Sequence, residues 1–281
     1  MTKLHTPIKN DFSWKTLFLQ TIYFIRETPL SWFFGFMLSF PVLAIIITES
    51  LRSQFQETDI PLMTSGITGM FFLILFLFFI GEAGLILSFR KNIYSPLEHM
   101  AATGALIRWY FLLLLLLLSF FALFFSPFLI APPEARLALK YIGLIFFFLV
   151  VCVTFVLKMF GEFYLILSRL SVRNALREAA GIFTNHFRQS FLFLFITSLL
   201  SILAGFISST IHTLIHFPFM DGVILNTILI SFILVFSSFF HIFFRALWYF
   251  FFQSLAAEKP SDWQKEKKVV EESMVPAEDE A

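Results

Sequence analysis

Two matching octets stand out in this chain: Gly81-Glu82-Ala83-Gly84-Leu85-Ile86-Leu87-Ser88 and, eighty residues later, Gly161-Glu162-Phe163-Tyr164-Leu165-Ile166-Leu167-Ser168. Six of the eight positions are identical. Leucine and isoleucine matches mean little in so apolar a chain, so the Gly-Glu pair and the final serine carry the repeat. Each octet ends a long hydrophobic run and precedes basic residues. The octets therefore indicate an internally repeated membrane protein with a carboxylate at the same place in two repeats.

The composition excludes an ordinary soluble domain. Of 281 residues 58% are hydrophobic, 43 are phenylalanine and only 14% are charged, whereas soluble domains carry about 25% charged residues. Too few polar groups are present to cover a water-exposed surface, so lipid is the expected solvent. The single cysteine, Cys152, lies in an apolar run and predicts an inert buried thiol. No disulfide framework, cysteine metal site or cofactor is predicted.

Six apolar stretches are long enough to span the hydrocarbon layer, which requires about 20 residues in a helix. We therefore predict an all-α, polytopic fold with six transmembrane helices. The predicted spans are roughly Leu30–Thr48, Gly66–Ser88, Trp109–Ile130, Ala138–Leu167, Ser190–Ile211 and Val223–Phe252. Residues 1–255 form the membrane domain in this interpretation, and the charged residues 256–281 form a largely disordered tail.

The basic residues are distributed unequally between the two sides of these spans. Sixteen of the 20 lysines and arginines flank one side, three flank the other, and Lys158 lies inside the fourth span. Because loops rich in lysine and arginine stay in the cytoplasm, both termini are predicted to be cytoplasmic. The predicted location is the bacterial inner (plasma) membrane, with a multi-pass topology.

Short amphipathic segments precede the first, third and fifth spans, and we predict that each is an interfacial elbow helix. Ser95-Pro96-Leu97-Glu98 is a capping box with proline at the first helical position. A second segment begins near Asn174, and a looser one includes Phe12 and Leu17. The chain thus predicts three tandem units, each an elbow helix followed by a two-span hairpin in the same orientation. The alternative is that any six-span protein has polar connections of this kind.

The Gly-Glu octets, together with Ala101-Ala102-Thr103-Gly104 and Ala179-Ala180-Gly181, support a resemblance. Over roughly residues 10–255 the chain resembles bacterial six-span proteins of the YciC-like and related uncharacterised families. It is also similar to the membrane domain fused to some glycerophosphodiester phosphodiesterases. The resemblance implies an integral inner-membrane protein of largely unknown role. Phosphodiesterase activity is not implied, because these residues contain no soluble phosphodiesterase domain.

Ionisable residues inside the spans are the first candidates for a site. A charged side chain at this depth should face the bundle and find a partner of opposite charge. Lys158 precedes Glu162 by four residues and so shares its helical face. We predict a buried polar cluster, either a structural network or a binding or proton-relay site, formed by Glu82, Glu162, Lys158, His241 and Arg245.

Two further sets of residues are weaker candidates. The basic residues at the elbows determine topology and could also attract anionic lipid headgroups. They are Arg90, Lys91, Arg169, Arg173, Arg177 and Arg188. His212 and His216 are four residues apart with Asp221 nearby, a spacing compatible with zinc but more often found in ordinary interfacial histidines. No acidic residue lies between the two histidines, so the metalloprotease pattern His-Glu-x-x-His is absent.

These features favour a non-enzymatic inner-membrane protein that organises lipid or a partner membrane protein through its elbow helices and polar cluster. The alternative is a small-solute or lipid transporter that uses the cluster as its substrate or proton site. A third option is an intramembrane enzyme in which Glu82 or Glu162 acts as a base. Membrane lipids are the expected partners, and no feature indicates nucleic-acid binding.

Overall fold

The computed structural model describes the backbone of residues 13–52, 60–89, 95–130, 133–215 and 223–258. It describes the side chains of residues 13–41, 71–89, 95–126, 140–210 and 227–256, with Gly69 and Thr213. Throughout these ranges the regular secondary structure is helical, which confirms the all-α class. The helices are α1 (Trp14–Glu27), α2 (Pro29–Arg52), α3 (Ile60–Leu87), α4 (Pro96–Ile130), α5 (Pro133–Leu167), α6 (Val172–Asn185), α7 (Phe187–Ile215) and α8 (Val223–Glu258).

Four of these helices are long and apolar enough to cross a membrane. The qualifying segments are Pro96–Ser126, Lys140–Leu167, Phe187–Thr210 and Thr227–Ala256, and Phe71–Leu87 of α3 is a shorter apolar helix. The chain is thus compatible with a multi-pass integral membrane protein. The other two predicted spans coincide with α2 and α3, and their crossing of the membrane stays a prediction.

Two of the three predicted elbow helices are separate helices, and the second is not. The chain breaks at Thr28, before Pro29, which has no N–H to continue the ladder, and again at His186, between α6 and α7. The prediction of a separate elbow after Ser95 is wrong, because α4 runs unbroken from Pro96 to Ile130. Gly104 alone costs a helix about 1 kcal/mol relative to alanine, which does not end so apolar a helix.

The local ends of the helices follow from their capping residues. Ser95 Oγ accepts a hydrogen bond from the Glu98 N–H at 3.2 Å, as the capping box predicts. Ser171 Oγ accepts from the Asn174 N–H at 3.4 Å at the start of α6. At the end of α5 the backbone of Arg169 is left-handed, with φ 54°. The Leu170 N–H then donates to the Tyr164 carbonyl at 3.3 Å, which satisfies a carbonyl in the last turn of the helix.

α8 packs more extensively against α2 than against α7, its neighbour in sequence. At the α2–α8 contact a Cβ on Gly35 would meet the Ile242 side chain at 2.7 Å. One turn later the Ser39 and Ser238 hydroxyls are 2.9 Å apart. Small residues allow close approach of membrane helices, and buried hydroxyls then join them. α7 lies at the edge of the bundle. The third predicted hairpin, α7 and α8, is therefore less closely packed than the first (α2 and α3) and the second (α4 and α5).

The described core lies at the end of the bundle where both octets are. Its largest fully buried side chains are aromatic. Phe193 stacks on Phe251 with centroids 3.9 Å apart, and the partly buried Trp14 stacks on Phe193 at 5.4 Å. Most exposed apolar side chains project from the long helices, as expected for helices surrounded by lipid. The buried side chains at this end of the described core can therefore position polar groups.

Candidate functional site

The two octets adopt matching positions at the ends of α3 and α5. α3 ends at Leu87 and α5 ends at Leu167, the same position of each octet. The final serines, Ser88 and Ser168, continue the helical bonding by donating their N–H groups at 2.9 and 3.2 Å. The glutamate of each octet thus lies five residues before its helix ends and faces the interior.

Glycines beside the glutamates let neighbouring aromatic side chains approach these helices. A Cβ at Gly161 would overlap the indole ring of Trp109, and one at Gly84 would overlap the ring of Phe34. Trp109 is fully buried, and its Nε1 has no hydrogen-bond partner among the described residues. The glycines therefore set how closely α2 and α4 pack on the octets, and hence how deeply the glutamates are buried.

Arg245 of α8 contacts the glutamates of both octets. Its Nε donates to Glu82 Oε2 at 2.8 Å, and its Nη2 donates to the same oxygen. Its Nη1 lies 2.5 Å from Glu162 Oε2 and donates to Met159 Sδ at 3.1 Å. One guanidinium therefore joins α3, α5 and α8, which come from three different predicted units.

Lys158 is the fourth charged member of this group. Its Nζ lies 3.6 Å from Glu162 Oε1, one helical turn away on α5. Both Glu162 oxygens form ion pairs: Oε2 with Arg245, and Oε1 with Lys158 at a separation beyond normal hydrogen-bond length. Glu162 is thus held mainly by charge. We call Glu82, Glu162, Lys158 and Arg245 the ion-pair cluster.

The ion-pair cluster is electrically balanced and nearly sealed. It contains two carboxylates and two cations. The side chains of Arg245 and Glu162 expose 4% and 0% of their surface, while Lys158 exposes 22%. In surroundings of low dielectric constant each charge needs its partner, because removal of one leaves an uncompensated buried ion. The arrangement can hold three helices in register, and Lys158 offers the most polar surface to the outside, since the Glu82 side chain exposes 10%.

His241 lies one turn before Arg245 on α8 and makes no hydrogen bond or ion pair with another described residue. It lines a cavity of about 380 Å³ between α5, α7 and α8. Hydroxyl groups on α7 and aromatic rings on α8 form much of the wall, among them Ser198, Ser201, Phe240 and Phe244. The structure therefore places His241 beside the ion-pair cluster rather than within it.

Two side chains near the ion-pair cluster were not predicted. Met159 contacts Arg245 through its sulfur and also lines the cavity. Its position three residues before Glu162, on the same helical face, is a signal that could have identified it. Tyr110 lies under Lys158, whose Nζ is 5.1 Å from the ring centroid. Nothing in the sequence distinguishes Tyr110 from an ordinary aromatic residue at a membrane boundary.

The predicted headgroup-binding residues are only partly described. Arg169 donates to Glu98 Oε1 at 2.6 Å. Arg173 and Arg177 are exposed on α6, and Arg188 is exposed in the first turn of α7. These three arginines form no ion pair with any residue that the structure describes. Arg90 and Lys91 lie outside the described residues.

The predicted zinc ligands cannot be placed. His216 and Asp221 lie outside the described residues, and for His212 only the backbone is described. Among described side chains no group of three or more histidines, cysteines, aspartates or glutamates is close enough to hold a metal ion.

Comparisons with protein-family models, with curated proteins and with solved structures find no match to this chain. The resemblance to YciC-like proteins therefore gains no support from them. The function must be argued from the geometry of the chain itself.

Proposed function

We propose that this chain is a non-enzymatic integral membrane protein that gathers anionic lipids around the α6 elbow, with the ion-pair cluster as its internal structural tie. The observation that carries the proposal is the outer face of α6 and the turn after it. There Arg173, Arg177 and Arg188 are exposed and have no acidic partner among the described residues.

The position of α6 supports an interfacial role. Its opposite face is buried through Ala175, Ala179, Ile182 and Phe183. The helix connects two membrane-length helices, α5 and α7, so it lies where the chain turns at the membrane surface. Phe187, at the start of α7, exposes 54% of its surface beside the arginines. An apolar side chain next to exposed cations suits the boundary between headgroups and acyl chains.

The orientation in this proposal is the cytoplasmic one for α6 and for both termini. Arg245 is buried in the ion-pair cluster and does not act as a loop cation. The remaining bias of basic residues still favours the α6 side. That side faces the anionic leaflet of a bacterial inner membrane, where each exposed arginine contributes about 1 kcal/mol of attraction.

The proposal is tested by lipid retention. The purified protein is titrated with phosphatidylglycerol, and bound lipid is counted by native mass spectrometry. Replacement of Arg173, Arg177 and Arg188 by glutamine should weaken apparent affinity by about two orders of magnitude, because three cations near the surface are lost. A matched triple variant, Lys15→Gln, Arg26→Gln and Arg108→Gln, removes three other cations predicted to lie on the same side and should change affinity much less. Equal losses in both triple variants would show that the α6 face is not a site.

The second candidate function is transport of a small solute or lipid. It is favoured by the cavity of about 380 Å³, which is lined by His241 and by Met159, the residue whose sulfur contacts Arg245. Its volume lies within the usual range for ligand pockets, about 300–1,000 Å³. Transport would require a second conformation in which this cavity opens to the opposite side of the membrane. The accessibility of a Ser201→Cys variant, measured from both sides of the membrane, distinguishes transport from lipid gathering. A cysteine that reacts from a single side would contradict alternating access.

A further inference from the structure

A second cavity, of about 260 Å³, lies between α4 and α5. Leu113, Leu114, Leu117 and Val151 provide apolar walls, and Lys158 and Tyr110 provide its polar end. We call it the Lys158 cleft. It differs from the α6 face in position, and nothing in the proposed lipid gathering by the α6 arginines depends on it.

Lys158 has hydrogen-bonding capacity that its described neighbours do not use. The Glu162 oxygen at 3.6 Å is beyond normal hydrogen-bond length, and the Nζ donates to Met159 Sδ at 3.9 Å. An ammonium group carries three donors. The Nζ lies 5.1 Å from the Tyr110 ring centroid and 5.6 Å from that of Phe155. These rings support the cation at the wall of the cleft, where 22% of the side chain is exposed.

The polarity along the cleft matches that of a lipid molecule. Lys158 and Tyr110 lie at its end nearer α6. Val151 lies seven residues before Lys158 on α5, and Leu117 lies seven residues after Tyr110 on α4. Both are therefore about 10 Å from the polar end of the cleft, at 1.5 Å per residue. An amphiphile seated here would hold its charged group toward α6 and its chain toward the middle of the membrane, as lipids in that leaflet do.

The depth of Lys158 fits the same occupant. α5 has 35 residues, about 50 Å of helix, whereas the hydrocarbon layer is about 30 Å thick. With α5 centred in the bilayer, about 10 Å of helix extends beyond the hydrocarbon at each end. Lys158 lies nine residues before the end of α5, about 13 Å. Its ammonium is therefore near the boundary where carboxylates and phosphates of lipids are found.

We propose that the Lys158 cleft binds one anionic acyl lipid, with the carboxylate or phosphate on Lys158 and the chain along Leu113, Leu114, Leu117 and Val151. A fatty acid and an anionic phospholipid share this chemistry, and separate probes distinguish them.

The test is photo-crosslinking in phosphatidylcholine nanodiscs. The probes are palmitic acid and phosphatidylglycerol, each with a diazirine on the acyl chain, and labelled residues are mapped by mass spectrometry. We expect labels on α4 and α5 at the cleft. Lys158→Met should lower that labelling about fivefold, and Lys158→Arg, which keeps the cation, should retain it.

A matched pair of variants tests the cleft without touching Lys158. Leu114→Trp fills the cleft and should abolish labelling there, whereas Leu115→Trp adds the same ring at a neighbouring exposed position that does not line it. This pair and Lys158→Arg decide the question if Lys158→Met fails to fold. Labelling by one probe or both identifies the lipid and supports the proposal. Labelling spread over all the lipid-facing helices, or unchanged by Leu114→Trp, overturns it. Loss of phosphatidylglycerol retention in the α6 triple variant with cleft labelling intact would separate the two sites.

Discussion

The guanidinium of Arg245 and the carboxylate of Glu82 are 163 residues apart in the sequence, and the Arg245 Nε donates to Glu82 Oε2 at 2.8 Å in the buried interior. The same guanidinium pairs with Glu162, which occupies the position equivalent to Glu82 in the second octet. One guanidinium thus bridges two repeated carboxylates, and Lys158 supplies the second positive charge. This relationship explains why an apolar chain has a Gly-Glu pair at the ends of two long helices.

Arg245→Met should destabilise the protein strongly, because it leaves two buried carboxylates with only Lys158 nearby. Removal of one partner from a buried ion pair costs about 3–5 kcal/mol. For a chain of this size that is a fall of about 10 °C in Tm. Thermal unfolding of detergent-purified protein measures the change.

The control for this prediction removes the whole ion-pair cluster. A variant with Glu82→Leu, Glu162→Leu, Lys158→Met and Arg245→Met leaves no unpaired charge, and apolar replacement of buried ion networks is often neutral or stabilising. It should recover most of the lost Tm. A wild-type Tm for Arg245→Met would contradict the structural role and favour a binding or proton-relay site at these residues.

Gly161→Ala should destabilise the contact between α5 and α4, since the new Cβ overlaps the buried Trp109 ring. Overpacking of this kind costs about 1–3 kcal/mol. Gly181→Ala in α6 is the matched control, because a Cβ there meets nothing within 4 Å. Alanine should leave that helix unchanged or more stable, by up to about 1 kcal/mol. Equal Tm values for the two variants would mean that Trp109 moves freely and that the glycine does not set the helix spacing.

Much of the ion-pair cluster was predictable from the sequence, for reasons that particular residues make clear. Charged side chains in apolar helices must find partners, and this rule alone relates Glu82 and Glu162 to Arg245. The four-residue spacing of Lys158 and Glu162 fixes their proximity on one helix. Neither argument needs to know how the helices are arranged.

The arrangement of the helices was less predictable. In lipid, apolar faces do not identify their partners, because the surrounding solvent is as apolar as the side chains. The sequence therefore did not show that α8 packs mainly on α2, that Tyr110 lies under Lys158, or that α4 is unbroken. The sequence feature that does indicate the α2–α8 contact is its small residues, Gly35, Ser39 and Ser238.

Because the backbone at Arg169 is left-handed, glycine and valine at this position should differ in their effect on stability. A residue with a side chain loses about 1–2 kcal/mol in this conformation, and glycine does not. Arg169→Gly and Arg169→Val both remove the exposed ion pair with Glu98, worth about 0.2–1 kcal/mol. Arg169→Gly should nevertheless be more stable than Arg169→Val by at least about 1 kcal/mol, measured by thermal unfolding. Glu98→Gln removes the ion pair and leaves residue 169 unchanged, so it measures the loss of that pair without any change of backbone conformation. Identical values for the glycine and valine variants would show that the αL position carries no strain.

Lys140 of α5 and Arg173 of α6 should label from opposite sides of the membrane, because the segment Lys140–Leu167 between them is long enough to cross it. Cys152 is the single cysteine, so a Cys152→Ala background allows one new cysteine at a time. Lys140→Cys should react with a membrane-impermeant maleimide in spheroplasts, and Arg173→Cys only after permeabilisation, since basic loops stay in the cytoplasm. Both positions are exposed, so accessibility within the protein does not bias the comparison. Reaction of both cysteines from one side would mean that α5 does not cross the membrane. The reverse pattern would keep the span but place the α6 arginines at the outer leaflet, away from the lipids they are proposed to gather.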